Sequence, residues 1–262
     1  MIYLNLLKKV FSMKKYAFML SQLIKRDFKV RYRGSMLGIL WSVLNPLLNM
    51  IVLSVVFSQV FKAVDNYKMY LLSGLVIFNF FSEASNNALT SVVSNFGLLT
   101  KVYFPKFILP LSKVLSSSIN FVISMAVFII LSSFMGINVW WGYIIIPYMV
   151  VFLLLFISGI SFILSTLQVF MRDVQHLYSV VLTIWMYSTP ILYPIDIIPE
   201  AFLPIFKANP LYIFIDFLRD ITLYSSVPNL HSFIYCALWG IGMFTVGGVV
   251  FVKNQSKFIY YT

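Results

Sequence analysis

Between Gly34 and Phe61 the sequence holds no ionisable side chain, and between Val114 and Met171 it holds no Asp, Glu, Lys or Arg. One charged side chain at a bilayer centre costs about 2.5–3.5 kcal/mol. Uncharged runs of 28 and 58 residues are therefore a membrane signature. Charged residues make up 10% of the 262-residue chain, where a soluble domain carries roughly 25%. A soluble globular protein is excluded.

Other absences narrow the chemistry. The single cysteine, Cys236, lies in an apolar run, so no disulfide forms within the chain and the residue reads as packing. No G-x-x-x-x-G-K-[ST] loop occurs, so the chain does not bind ATP through a P-loop. His176 and His231 lack His, Cys or carboxylate partners at ligand spacing, so no metal is expected. There is no nucleophile elbow and no internal repeat. No cleavable signal peptide is expected, because the first apolar run of spanning length begins after residue 33.

What is present is an alternation of apolar blocks and basic flanks. About 20 apolar residues cross the hydrocarbon core. Spans are predicted at 36–61, 69–94, 114–135, 143–169, 177–195 and 230–252, within one transmembrane domain covering 36–252. The long uncharged run is divided at Gly136–Gly142, where two glycines, an Asn and paired tryptophans mark an interfacial turn. With residues 1–35 inside, 15 of the 19 Lys and Arg fall on inner segments (1–35, 95–113, the turn at Arg172, and 253–262). Outside lie only Lys62, Lys68, Lys207 and Arg219. The positive-inside rule then places both termini in the cytoplasm, with 196–229 on the outer side. The net charge of +11 sits beside apolar runs, which suits anionic membrane lipids and not nucleic acid.

Four regions could carry function. Leu20, Leu23, Ile24 and Phe28 recur at helical spacing with Lys25, Arg26, Lys29 and Arg33 mostly opposite. This predicts an amphipathic helix in the cytoplasmic interface, apolar side to lipid, or a plain topogenic flank. Glu83 is the one acid placed within a span, and Asn79, Glu83, Asn86, Thr90 and Ser94 follow at spacings that put them on one helix face. That stripe either lines a polar conduit or forms an interhelical hydrogen-bond seam. Pro46 kinks span one. Pro190, Pro194, Pro199, Pro204 and Pro210 punctuate a segment that stays apolar, which predicts short re-entrant helices, or else an ordinary external cap. Asp216, Arg219 and Asp220 follow on a short interfacial helix.

Three blocks resemble one family. Gln22–Val52, Leu98–Val114 and Gln168–Glu200 with Lys207–Asp220 are similar, in order, to permease subunits of type-2 ABC exporters, in the branch that exports O-antigen, teichoic acid and related polysaccharides. The resemblance implies an all-α integral membrane fold of six helices and a homodimer. It also implies two copies of a separate nucleotide-binding chain that holds ATP and Mg, with no cofactor on this chain and no catalytic residue. The substrate would be a polyprenyl-diphosphate-linked polysaccharide crossing the bacterial inner membrane between two permease copies. Leu99, Lys101, Pro105, Lys106, Arg172 and Asp173 would couple to the ATPase. Asn79, Glu83, Asn86 and Thr90 would line the conduit. Lys25, Arg26, Arg31 and Arg33 would meet lipid headgroups or the diphosphate. Phe107 stands where the family often has an acid, and Met171-Arg172-Asp173 where it often has Tyr-Arg-Asp. A permease for a drug or small lipid shares the architecture, and a membrane transferase or an ATP-independent channel are more distant readings.

Overall fold

The computed structural model describes residues 13–61, 64, 66–101, 104–137 and 139–261. The first twelve residues, Lys62 and parts of two predicted loops lie outside the described residues. Twelve α-helices and two short 3₁₀ turns account for the described elements: α1 Met13–Arg31, α2 Leu40–Phe57, α3 Tyr67–Leu89, α4 Ser91–Ser94, α5 Phe96–Lys101, α6 Ile108–Phe134, α7 Ile146–Phe170, α8 Val174–Tyr187, α9 Leu203–Lys207, α10 Pro210–Thr222, α11 Leu230–Asn254 and α12 Phe258–Tyr261. No strand occurs among the described residues. The fold is the all-helical one expected.

Four units are long and apolar enough to cross a bilayer: α2, α6, the Trp141–Phe170 unit that contains α7, and α11. The two other predicted spans differ. Helix α3 has 23 residues, about 34 Å at 1.5 Å per residue, but Lys68, Asn79, Glu83, Asn86 and Asn87 lower its hydropathy. The span predicted at 177–195 is helical only over Val174–Tyr187. Ser188, Thr189 and Pro190 end it, because proline disfavours helical backbone before it and supplies no N–H. Fourteen residues rise about 21 Å, less than the ~30 Å hydrocarbon thickness.

Helix α3 is the axis of the bundle. From Met69 to Phe78 every side chain is buried, enclosed by α2, α6, α7, α8 and α10. Helix α2 lies at the outside and exposes Leu48, Ile51, Val52 and Val55. Pro46 within it removes the donor that the Ser42 carbonyl would otherwise receive. The Ser124 hydroxyl of α6 supplies the replacement at 3.1 Å. Gly34 and Gly38, both at positive φ, turn the chain from α1 into α2.

Helix α1 departs from its predicted setting. Its apolar side does not face lipid: Leu20 and Leu23 are buried against Phe104, Ile108 and Leu109 at the start of α6. A helix with one apolar stripe buries it on the nearest apolar surface, and here that surface is protein.

The closest backbone approach joins α7 to α11. A Cβ on Gly159 would collide with the Met243 carbonyl, and one on Gly247 with the Gly159 carbonyl. Glycines on both sides let the two backbones touch, which in lipid replaces the missing hydrophobic drive with packing.

The proline-rich segment folds inward, and the reason is Arg219. Helix α10 is not a peripheral interfacial helix: Leu211–Ile215, Phe217–Arg219, Ile221 and Thr222 are buried. Its first turn is set by Asn209, whose Oδ1 accepts from the Leu211 amide and from Trp185 Nε1, both at 3.1 Å. Pro210 follows at the first helical position, where its missing N–H costs nothing. Arg219, 1% exposed, then donates to the carbonyls of Pro190 (2.9 Å), Tyr70 (3.2 Å) and Ile191 (3.5 Å) and to Ser73 Oγ (3.2 Å). Its guanidinium lies 3.5 Å from the Tyr70 ring centroid. Gly74 makes room, since a Cβ there would stand 2.9 Å from Ile191 Cγ2 and 3.3 Å from Arg219 Nη2.

Two outcomes follow. Gly159→Val or Gly247→Val will prise α7 from α11, seen as a lower melting temperature and loss of a monodisperse peak in detergent. Gly248→Ala, with open space at its Cβ, will behave as wild type. Arg219→Met leaves at least two buried acceptors bare and will cost at least about 2 kcal/mol, at about 1–3 kcal/mol per orphaned group. Arg219→Lys will recover only part, because one ammonium cannot serve four acceptors on three sides. A melting temperature unchanged in Arg219→Met would refute this role.

Candidate functional site

Where α1 ends and the chain turns into α2, the polar residues of three helices converge. They line a cavity of about 490 Å³ between α2, α3 and α6. Of the predicted stripe on α3, Asn79, Glu83 and Asn86 line it, and Thr90 does not. Helix α3 ends at Leu89, so the 3.6-residue period stops before Thr90, which caps the helix outside the cavity.

Glu83 is paired. Arg31, at the last position of α1, donates through Nη1 to Glu83 Oε1 and through Nη2 to Ser117 Oγ at 3.3 Å. Asn120 Nδ2 also reaches Glu83 Oε1, at 3.4 Å. The next residue, Tyr32, donates to Asn120 Oδ1 at 2.7 Å, and its oxygen lies 2.5 Å from Ser42 Oγ. One network thus ties α1 to α2, α3 and α6. The Arg31 and Glu83 side chains keep 25% and 39% of their surface exposed, so the pair forms part of the cavity wall and is not sealed in the core.

The four basic residues assigned to headgroups divide. Lys25 and Arg33 are exposed. Arg26 meets Asp27 at 3.0 Å and Asn95 Oδ1 at 3.1 Å, and Asp27 in turn holds Lys113 at 2.9 Å. Arg31 turns inward to the cavity.

The residues assigned to ATPase coupling gather at one end of the bundle. Leu99 is half-buried and packs on the cluster around Leu20 and Leu23. Lys101 is exposed at the end of α5. Pro105 accepts from the Ile108 amide at 3.1 Å and so starts the turn into α6. Lys106 donates to the Gln255 carbonyl at 2.7 Å and stands over the Phe258 ring. Burial there lowers the pKa of its ammonium. Arg172 and Asp173 are exposed in the turn from α7 to α8. Phe258 touches the Phe170 ring as well, which brings that turn beside Lys106.

Sequence reasoning missed the α6 contribution. Ser117, Asn120 and Ser124 recur at three and four residues within an apolar run. That is the same signal that marked the α3 stripe, and it faces the same cavity. The Arg31–Glu83 pair spans 52 residues, and no local spacing announces it. Among the described residues no His, Cys, Asp and Glu cluster could hold a metal ion.

Residues 19–223 match the ABC-2 type transporter family. The chain is 34% and 32% identical, over 238 residues, to two proteins of Klebsiella pneumoniae named O-antigen export system permease protein RfbA. Both alignments cover 89% of this chain and 90% of the relative. It is 33% identical over 186 residues to a protein of the same name from Myxococcus xanthus, covering 71% of this chain and 72% of that one. An apolar helical bundle and a family match over most of its length agree, and the chain belongs to the ABC-2 type transporter family.

Proposed function

We propose that this chain is the permease subunit of an ATP-driven exporter that moves a polyprenyl-diphosphate-linked polysaccharide out of the cytoplasm. The observation that carries the reading is the similarity, over nine-tenths of the length, to permeases named for O-antigen export. Two copies of the chain would form the path, and two copies of a separate ABC ATPase would supply ATP hydrolysis, with Mg, from the cytoplasmic side. The lack of a P-loop in the sequence fits that division of labour. The basic inner segments support a six-span, inner-membrane topology with both termini in the cytoplasm.

Leu99, Lys101, Pro105, Lys106, Arg172 and Asp173 would receive the ATPase, because they share one end of the bundle. Helix α1 is the mechanical link. Its apolar side is seated on the coupling segment through Leu20, Leu23 and Phe104. Its last residue, Arg31, reaches Glu83 on the central helix. A displacement of the coupling segment therefore moves α1 and loads the Arg31–Glu83 contact. The stripe Asn79, Glu83 and Asn86 would border the substrate path. Exposed Lys25 and Arg33 would meet anionic headgroups, each worth about 1 kcal/mol.

The test of function is reconstitution with the ABC ATPase of the same transport system, followed by ATP-driven movement of lipid-linked glycan across vesicles. Movement that needs both chains is expected. ATP-driven movement of a small drug or a simple lipid in its place would overturn the reading. In the same assay Arg31→Ala and Glu83→Ala will each lower flux about tenfold, equivalent to about 1.4 kcal/mol. The swap Arg31→Glu with Glu83→Arg will recover part of the loss, as residues in direct contact couple by about 0.5–3 kcal/mol. Additive losses in the swapped protein would show that the pair does not act as a unit.

A further inference from the structure

The cavity beside Arg31 has no charge to spare. Among the described residues Arg31 is the one base and Glu83 the one acid on its wall, and they are paired with each other. The remaining Arg31 terminal nitrogen is given to Ser117. A diphosphate entering here would have to displace the carboxylate and then sit beside it, at the cost of like-charge repulsion. An anion is the wrong ligand for this space.

The rest of the wall is suited to something else. Asn79, half-buried, and Asn86, exposed, line the cavity and exchange no side-chain hydrogen bond with any described residue. Each therefore presents a donor and an acceptor to the space. Within a membrane domain unmet amides need a partner, which is either water or a ligand that supplies both donors and acceptors. The Trp41 ring, 47% exposed, flanks the same space. Phe80 and Phe121, buried and stacked on each other with centroids 4.4 Å apart, back the wall behind it. An exposed flat apolar face next to free amides matches a ligand with a C–H face and a hydroxyl rim. The volume of about 490 Å³ lies within the range of about 300–1,000 Å³ typical of small-ligand sites.

We infer that this cavity is a binding site for an uncharged sugar residue, held by Asn79 and Asn86 at its hydroxyls and by Trp41 at its ring face. The inference rests on the exporter reading and sharpens it. The glycan is recognised within one permease subunit, at a place separate from wherever the diphosphate is held. Arg31 and Glu83 then serve as the floor of the site, and their pairing with α1 lets glycan occupancy and movement of the coupling segment influence each other.

The experiment uses the full chain in lipid nanodiscs. Cys236, the single cysteine, is replaced by serine, and Ser82, which lines the cavity, by cysteine. A small thiol reagent then reports on access. The deacylated surface glycan of the source organism, at ten times its half-protecting concentration, will slow labelling about tenfold, as one-site occupancy requires. Inorganic diphosphate at equal concentration will not. Asn79→Leu with Asn86→Leu will remove the protection, scored against the rate at which that same variant is labelled without glycan. Labelling unaffected by glycan, or protection by inorganic diphosphate, would overturn the inference. Wild-type flux in the vesicle assay separates the two claims. Glycan export without protection refutes the sugar site alone, and no glycan export refutes the exporter reading.

Discussion

A polar group facing the hydrocarbon of a bilayer cannot fall back on water, and the arrangement of this bundle follows from that constraint. Each break in helical regularity is matched by a side chain from elsewhere. Pro46 bares the Ser42 carbonyl, and Ser124 donates to it. The irregular backbone at Pro190–Ile191 presents two carbonyls, and Arg219 donates to both. The end of α8 meets the start of α10 through Asn209, which serves Trp185, Thr189 and the Leu211 amide at once. Helices in lipid gain little from burying apolar surface against each other. These polar ties, with the glycine contact of α7 and α11, therefore decide which helices are neighbours.

The same constraint explains what could be read in the sequence. Uncharged runs and basic flanks follow from the cost of charge in hydrocarbon, so the helical class and the positions of α2, α6, α7 and α11 were legible. The α3 stripe was legible too, because Asn79, Glu83 and Asn86 keep helical spacing. The partners were not. Glu83 could be recognised as needing one, but Arg31 reads locally as the tail of a basic cluster. Its inward turn depends on α1 being docked by Leu20 and Leu23 onto a segment eighty residues further on. Arg219 was obscured in the same way. Beside Asp216 and Asp220 it looks like part of an exposed charged patch, and only the tertiary fold surrounds it with carbonyls. The predicted re-entrant character of 187–210 rested on prolines in an apolar segment, and they do interrupt regular structure there. The end of α8 at Tyr187 shows how far one proline can shorten a span that hydropathy alone would extend.

The two buried-side arginines do different work, and exposure distinguishes them. Arg219 is fully enclosed and directs its donors to backbone, so it fixes geometry and has no freedom to respond. Arg31 is a quarter exposed, faces a carboxylate, and lies at the end of a helix whose apolar side is seated on the segment leading into α6. A pair of this kind is weakly held compared with a sealed one, because solvent in the cavity can stabilise the separated charges.

That difference distinguishes the two ends of the bundle. One end is pinned: α10, the 190–191 segment and α3 share Arg219. At the other end Gly34 and Gly38 turn the chain into α2, both with backbone that other residues adopt at a cost. There Phe104 and Leu99 pack on α1, whose last residue meets Glu83 at the wall of the polar cavity. Helix α3 carries both ends, with Glu83 towards one and Tyr70 and Ser73 towards the other. A shift of α3 along its axis is the one displacement that would be felt at both the Arg31 contact and the Arg219 contact. The two ends of the permease are thus joined through the most enclosed helix of the bundle, and not along its exposed surface.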